Sequence, residues 1–474
     1  MSSKPESLEM SALIGTLLWT GASLEQALSL QVLLGGTPAP DCDLALRIGA
    51  PVLEGDAPTS EWRVRVLRLP YKNDTGPPAE QARVPVDFLC LPDPVGGSAA
   101  VQQLLTTLRD DAKDPLAQPD IMTHTPLQIF SREPAWYKEK LQKLLDKRDS
   151  LGRITATKIS HVLFQKIMER TGGDVVSAAL ITRTDHHLAS VRRYYATPDV
   201  RDLQQIYVDA VGALNEELGH AGYKQPTEGS VKLAPRGISV GSALCPTIDA
   251  VQDAVRRLKE EILRLISLDS MSSTTADFVR AHNLYTLYSV WSFGFAVGIR
   301  GVRTPYLHSD EVNQDTGFAV ITDKDSGTGY KSRLIWVPES NREQMKLYDT
   351  YLSSMARARG IEALTRKRSC YFLGDNLKVR EVRPRTVVPF TRDYLAFPAN
   401  VARHFVCTQL RERGVAPEYI DLWMGHWARG EEPWGALSTL SIPNYKRELE
   451  RVLPNLLEKL GFEPICLRYR GGSK

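Results

Sequence analysis

The order of elements in residues 11–200 recurs in residues 281–450, and this repetition constrains the fold more than any single motif. In the first stretch, SALIGTLLWTGASLEQALSL carries helical periodicity broken at Thr20-Gly21, which predicts two helices and a tight turn. The alternation over 61–69 and the apolar run ARVPVDFLCL predict two strands, and 99–113, 134–149, 157–170, 174–182 and 187–195 read as helices. In the second stretch, HNLYTLYSVWSFGFAVGIRGVRTPYL predicts helix, turn, helix. GFAVITDKDSGTGYKSRLIWVP predicts two strands joined by a Gly-rich turn, and YDTYLSSMARARG, FPANVARHFVCTQLRERG and APEYIDLWMGH predict three further helices. A polar stretch with Gly and Pro, 219–247, and an amphipathic helix at 248–267 stand between the two blocks. No shorter period is present, so the pattern implies a diverged duplication and not a solenoid. The expected fold class is mainly α with small antiparallel β-hairpins (α+β). Domains are expected at 1–205 and 281–474, with 206–280 as linker and helical segment, since 474 residues exceed what one core usually supports.

Composition excludes several classes. Hydrophobic residues at 42% and charged residues at 24% are ordinary for a globular chain, and no apolar run is long enough to cross a membrane. The start, MSSKPESLEM, has neither the basic opening nor the apolar run of a secretory signal. Six cysteines lie scattered without CxxC spacing, which predicts a reduced, cytoplasmic and zinc-free protein. The net charge of +3 is uneven: residues 281–474 hold 28 Lys+Arg against 21 Asp+Glu, and 357–392 alone hold ten basic residues. A basic C-terminal half suits a polyanion such as nucleic acid, although a solvated arginine-rich surface has the same composition.

The second block also holds a set of residues with a shared chemistry. Arg300 lies at a helix–turn junction, Lys324 at the end of a predicted strand, Arg403 inside a helix, His426 at a helix end, and Tyr445 beyond it. Paired guanidinium donors bind two phosphate oxygens and stay charged at any working pH. They neutralise charge that builds on a phosphoryl group. A lysine protonates a departing oxygen, and a tyrosine serves as a covalent nucleophile. The pattern therefore fits transfer of a phosphodiester without metal or nucleotide cofactor.

The order and context of these residues resemble those of the tyrosine recombinases, or phage integrases. GIRGVRTPYLHSDEVNQDTGFAVITDKD resembles the family's turn–arginine–helix leading into a lysine-bearing hairpin. NVARHFVCTQLRERGVAPEYIDLWMGH resembles its H-x-x-R-H helix and LGH ending. The resemblance implies cleavage and rejoining of duplex DNA through a 3′-phosphotyrosine. Arg300 and Arg403 would bind the scissile phosphate, Lys324 would act as general acid with Lys331 as its rival, and His426 would hold the second-histidine position. Asn400 stands where the family has its first histidine; it still donates a hydrogen bond but shuttles no proton. Tyr445 is the candidate nucleophile, yet it follows His426 by nineteen residues where the family has about nine.

The first block resembles a complete but degenerate copy. Ser23 stands in the first arginine position, Lys72 in the lysine position, and Thr157 and Ser160 replace His and Arg beside His161. TDHHLASVRRYY supplies His186 and Tyr195, nine residues apart. Without arginines this block is expected to be inactive alone, since losing one preorganised donor typically costs on the order of 10²-fold in rate. His186 and His187 have too few neighbouring ligands for a metal site. Tyr194 and Tyr195 read either as helix surface or as tyrosines offered to the second block's arginines.

The expected function is site-specific recombination of a mobile element, integrating or excising it, with further recombinase protomers or a companion recombinase as partners. The expected location is cytoplasmic, at the nucleoid. Another reading is a non-catalytic DNA-binding accessory subunit, and a third is a protein-binding scaffold. The family's N-terminal helical clamp has little room ahead of the first block; either the first block or another protein is expected to take its role, with the basic helix at 256–264 able to serve part of it.

Overall fold

A computed structural model describes residues 3–34, 37–49, 60–66, 80–83, 85–93, 97–111, 126–184, 187–219, 233–267, 274–300, 306–322, 332–360, 370–427, 433 and 438–467. The described chain is mainly helical with small sheets. It forms two compact units, one of residues 1–69, 85–190 and 198–241, the other of 70–84, 191–197 and 242–474. These bounds differ from the expected ones. Residues 206–241 belong to the first unit and 242–280 to the second, and two short segments from the first block, 70–84 and 191–197, belong to the second unit.

The first unit opens with α1 (Ser3–Thr20) and α2 (Leu24–Leu28). The predicted break between them is enforced at Gly21, whose φ of +66° is open to glycine and whose Cβ would fall 2.6 Å from Thr182. Ser23, in the first arginine position of the resemblance, caps α2 through a capping box with Gln26. Five strands form one sheet in the order β4-β3-β2-β1-β5: β1 (Gln31–Leu33), β2 (Leu44–Ile48), β3 (Ser60–Arg65), β4 (Phe88–Pro92) and β5 (Leu127–Gln128). Its pairings are antiparallel, as expected, except that β1 and β2 run parallel, Val32 opposite Leu46. Then come α3 (Ala99–Asp111), α4 (Pro134–Arg148) and α5 (Ala156–Arg170), each against α1, and α6 (Val175–Thr182) against α5. Next, α7 (His187–Tyr195) carries the chain out of this unit at residue 190, and α8 (Val200–Glu217) returns to it.

The second unit is built on α10 (Thr275–Val297), which is buried along nearly its whole length. A capping box of Thr274 and Asp277 starts the helix, and Gly298 ends it at φ +57°. A Cβ on Gly298 would overlap the Trp423 ring, so only glycine allows that close approach. Polar residues on this buried helix are paired: Asn283 donates to Leu373 O at 2.9 Å and accepts from Leu373 N at 2.7 Å, acting as a partner for the strand edge.

Packed with α10 are α9 (Ile248–Ser267) and α11 (Glu339–Arg359), followed by α12 (Pro384–Thr391), α13 (Val401–Glu412), α14 (Pro417–Met424) and α15 (Ile442–Lys459). Two antiparallel pairs complete the unit, β6 (Phe318–Thr322) with β7 (Ser332–Trp336), and β8 (Tyr371–Leu373) with β9 (Val379–Glu381). Tyr195 is a member of this unit's apolar core.

Candidate functional site

Four element ends of the second unit converge on a buried group of arginines and histidines. The turn after α10 carries Arg300, α13 carries Arg403 and His404, the end of α14 leads to His426, and the last turn of α7 carries Tyr195.

Arg403 is fully buried. Its Nη1 donates to the carbonyl of Gly298 at 2.9 Å, and its Nη2 donates to the carbonyl of Met424. These carbonyls belong to the ends of α10 and α14, where unsatisfied acceptors and the helix dipole favour a cation. Nη2 also lies 3.3 Å from Nε2 of His426. A guanidinium only donates, so Nε2 accepts and the ring proton of His426 sits on Nδ1. Burial, followed by Arg403, Arg300, Arg192 and Arg333, holds His426 well below the usual imidazole range, so the ring is neutral.

Tyr195 covers this group. Its ring centroid is 5.0 Å from the Arg403 guanidinium carbon, 5.4 Å from the His426 ring and 4.8 Å from the His404 ring. A cation under an aromatic face is attracted by the ring quadrupole, more strongly where water is excluded. Arg192, three residues earlier, bonds the carbonyl of His426 at 3.1 Å and pairs with Asp421 at 3.1 Å. Beside His426 a cavity of about 420 Å³ opens, lined by Arg192, Tyr419, Trp427, Ser438 and Asn444 among others.

The predicted residues are not all brought together. Arg300, Arg403 and His426 are close enough for both arginines to depress the histidine. Asn400 is engaged with His404, its Nδ2 donating to Nε2 at 3.2 Å, while Nδ1 of His404 faces the Ser242 hydroxyl at 3.0 Å. Tyr445 is fully buried between α15 and β7. Its hydroxyl donates to Leu334 O at 3.0 Å, its ring stacks on Phe318, and burial raises the phenol above its usual range. It is packed as a core aromatic. Lys324 and Lys331, together with His186 and Lys72, lie outside the described residues. Among the described residues no group of three or more His, Cys, Asp or Glu is placed to hold a metal ion, and no helix is long and apolar enough to cross a membrane.

Sequence reasoning passed over Arg333. It is buried on β7 and donates to Val297 O at 2.9 Å, to Gly298 O at 3.1 Å and to Trp423 O. With Arg403 it ties the ends of α10 and α14 together. A signal was present: the period of two along SRLIW puts Arg333 on the face of Ile335, inward.

No protein-family model matches the chain, and no curated protein matches it. Among solved structures it is similar to an integrase from mycobacterium phage Brujita, at 12% identity over 68% of this chain and 97% of that one, with a TM-score of 0.23. A likeness of that size identifies neither a family nor a function.

Proposed function

We propose that the second unit binds a DNA phosphodiester at Arg300, Arg403 and His426, and that Tyr195 is the nucleophile of a site-specific strand-transfer reaction. The observation that carries this reading is the placement of the Tyr195 ring against Arg403 and His426, while Tyr445 is buried and bonded to backbone. The spacing of Tyr445 adds to this, since it follows His426 by nineteen residues where the resemblance implies about nine.

In the proposed step the Tyr195 oxygen attacks phosphorus and its proton passes to solvent, while the bond from phosphorus to the 5′ oxygen breaks. That leaves a 3′-phosphotyrosine and a 5′ oxygen that takes up a proton from Lys324, the general acid that the resemblance implies. The arginines neutralise the charge that builds on the phosphoryl oxygens. Rejoining is the same step in reverse, with a 5′ hydroxyl as attacker. The substrate would be duplex DNA at a mobile-element site, with further protomers completing the exchange.

A nicked suicide DNA substrate tests the step. A covalent adduct is expected that is lost in Tyr195→Phe and kept in Tyr445→Phe. An adduct that instead disappears only with Tyr445→Phe would overturn the assignment.

A second reading, a non-catalytic DNA-binding accessory subunit, is favoured by the engagement of Arg403 with two backbone carbonyls. It predicts salt-sensitive DNA binding and no adduct with any variant.

A further inference from the structure

Arg192 lies three residues before Tyr195, so the two side chains share one face of the last turn of α7. Its Nε stands 3.1 Å from Oδ1 of Asp421, on α14, and its Nη2 donates to the carbonyl of His426 at 3.1 Å. Asp421 is itself tied to the same turn, because its carbonyl accepts the N–H of His426 at 2.8 Å. One guanidinium thus holds both ends of the short loop that delivers His426.

The pair is not a loose surface ion pair. The Arg192 side chain is 12% exposed and that of Asp421 17%, so solvent screens the contact less than it would on an open face. The planar fork of arginine reaches two acceptors at fixed angles, which a lysine ammonium on a flexible stem does not. Other contacts secure the segment beyond Tyr195: Thr197 N donates to the Thr408 hydroxyl at 3.1 Å, and Ser242 N donates to Ala196 O at 2.9 Å. These fix the chain after Tyr195, whereas Arg192 fixes the turn before it.

We propose that Arg192 is a positioning residue that docks the last turn of α7 onto α14 and so sets Tyr195 and His426 in a fixed relation. The proposal rests on the reading of Tyr195 as the tyrosine of the site. Arg192 acts through Tyr195 and His426, by orientation, and a displacement of about 1 Å in such a group costs up to roughly 10²-fold in rate.

The test uses the full chain with Arg192→Met and Arg192→Lys. Tyrosines are nitrated with tetranitromethane and mapped residue by residue by mass spectrometry, with the buried Tyr445 as internal reference. Adduct formation on the suicide DNA is measured in parallel. In Arg192→Met, nitration of Tyr195 is expected to rise several-fold while Tyr445 stays protected, and the adduct rate is expected to fall about tenfold or more. Arg192→Lys, which keeps the charge but spans one acceptor, is expected to lie between.

Tyr195 as protected as in the unaltered protein overturns the proposal, and so does an adduct rate that Arg192→Met leaves unchanged. Tyr445 becoming reactive together with Tyr195 in both variants also overturns it, since the arginine would then be holding the unit and not the tyrosine. If the unaltered protein forms no adduct, the strand-transfer reading fails, while the nitration pattern still decides whether Arg192 docks Tyr195.

Discussion

The Tyr195 ring lies over the guanidinium of Arg403, 5.0 Å from ring centroid to guanidinium carbon, and the arginine beneath it is fully buried. On the proposed reading, a phosphate reaching Arg403 would meet Tyr195. Ring and hydroxyl make separable contributions. Tyr195→Phe keeps the ring and is expected to leave stability within about 1 kcal/mol of the unaltered protein, because only the hydroxyl is lost. Tyr195→Ala removes a core aromatic and uncovers the arginine, and is expected to cost about 3 kcal/mol or more. Denaturant midpoints of the two variants check this, and equal losses would contradict it.

Tyr445 makes the opposite prediction. Its hydroxyl donates to Leu334 O inside the core. Tyr445→Phe leaves that carbonyl without this donor and is expected to cost about 1 kcal/mol in urea unfolding, with the adduct unaffected. A stability-neutral variant would show that this bond contributes nothing.

Arg333 is buried, and its guanidinium serves the carbonyls of Val297, Gly298 and Trp423. Arg333→Met matches much of the volume but strands those acceptors. The expected loss is about 3 kcal/mol or more, measured by chemical unfolding. A smaller loss would show that water replaces the guanidinium at the ends of α10 and α14.

The order of helices was legible in the sequence because helical periodicity persists over many residues, as in the stretches that became α5, α9 and α13. The short strands β1, β2 and β5 were not, because two to five residues carry little pattern and their pairing is tertiary. Arg300, Arg403 and His426 could be found from local context, since each sits at a helix end or on a helix with a recognisable neighbour. The placement of Tyr195 beside them could not be read that way. Residues 191–197 pack in the second unit although the sequence around them belongs to the first, and no local signal marks such a transfer. Tyr445 fits the order of the resemblance, while its burial and its bond to Leu334 O come from tertiary packing that order does not encode.

The basic excess at 357–392 has a described part. Lys378, Arg380, Arg383, Arg385 and Arg392 are exposed on β9 and around α12, with Arg383 paired to Glu381. Arg385 and Arg392 are seven apart and share a helix face. If this strip meets the DNA backbone, the double variant Arg385→Gln/Arg392→Gln weakens binding at every sequence and lowers the slope of log K against log salt by about 2. Binding isotherms at four salt concentrations measure it. An unchanged slope would place the DNA elsewhere.

Buried histidines predict a pH dependence of stability. Burial takes His282 down to about 4, against the raising effect of the Tyr371 carbonyl, and burial with Arg403 takes His404 down to about 3. His426 lies well below its usual range for the same two reasons, with Arg300, Arg192 and Arg333 adding to them. In the unfolded chain each titrates near ~6.5. Below that value the unfolded chain binds protons that the folded chain refuses, so stability is present above about 6.5 and is lost as pH falls toward the folded values. The window closes near about 4 for His282 and about 3 for His404. Each histidine contributes a slope of up to about 1.4 kcal/mol per pH unit. Asp93 and Asp349, both raised by burial, act in the opposite sense, since their folded forms hold protons more tightly. Comparing pH 7.5 with pH 5.5 isolates the histidines from most carboxylates. The urea midpoint is expected to fall over that interval, and His404→Gln, which keeps a hydrogen-bonding side chain beside Ser242 but does not titrate, is expected to flatten the fall by about one histidine's share. A midpoint independent of pH across this range would mean that these rings take up protons without leaving the fold.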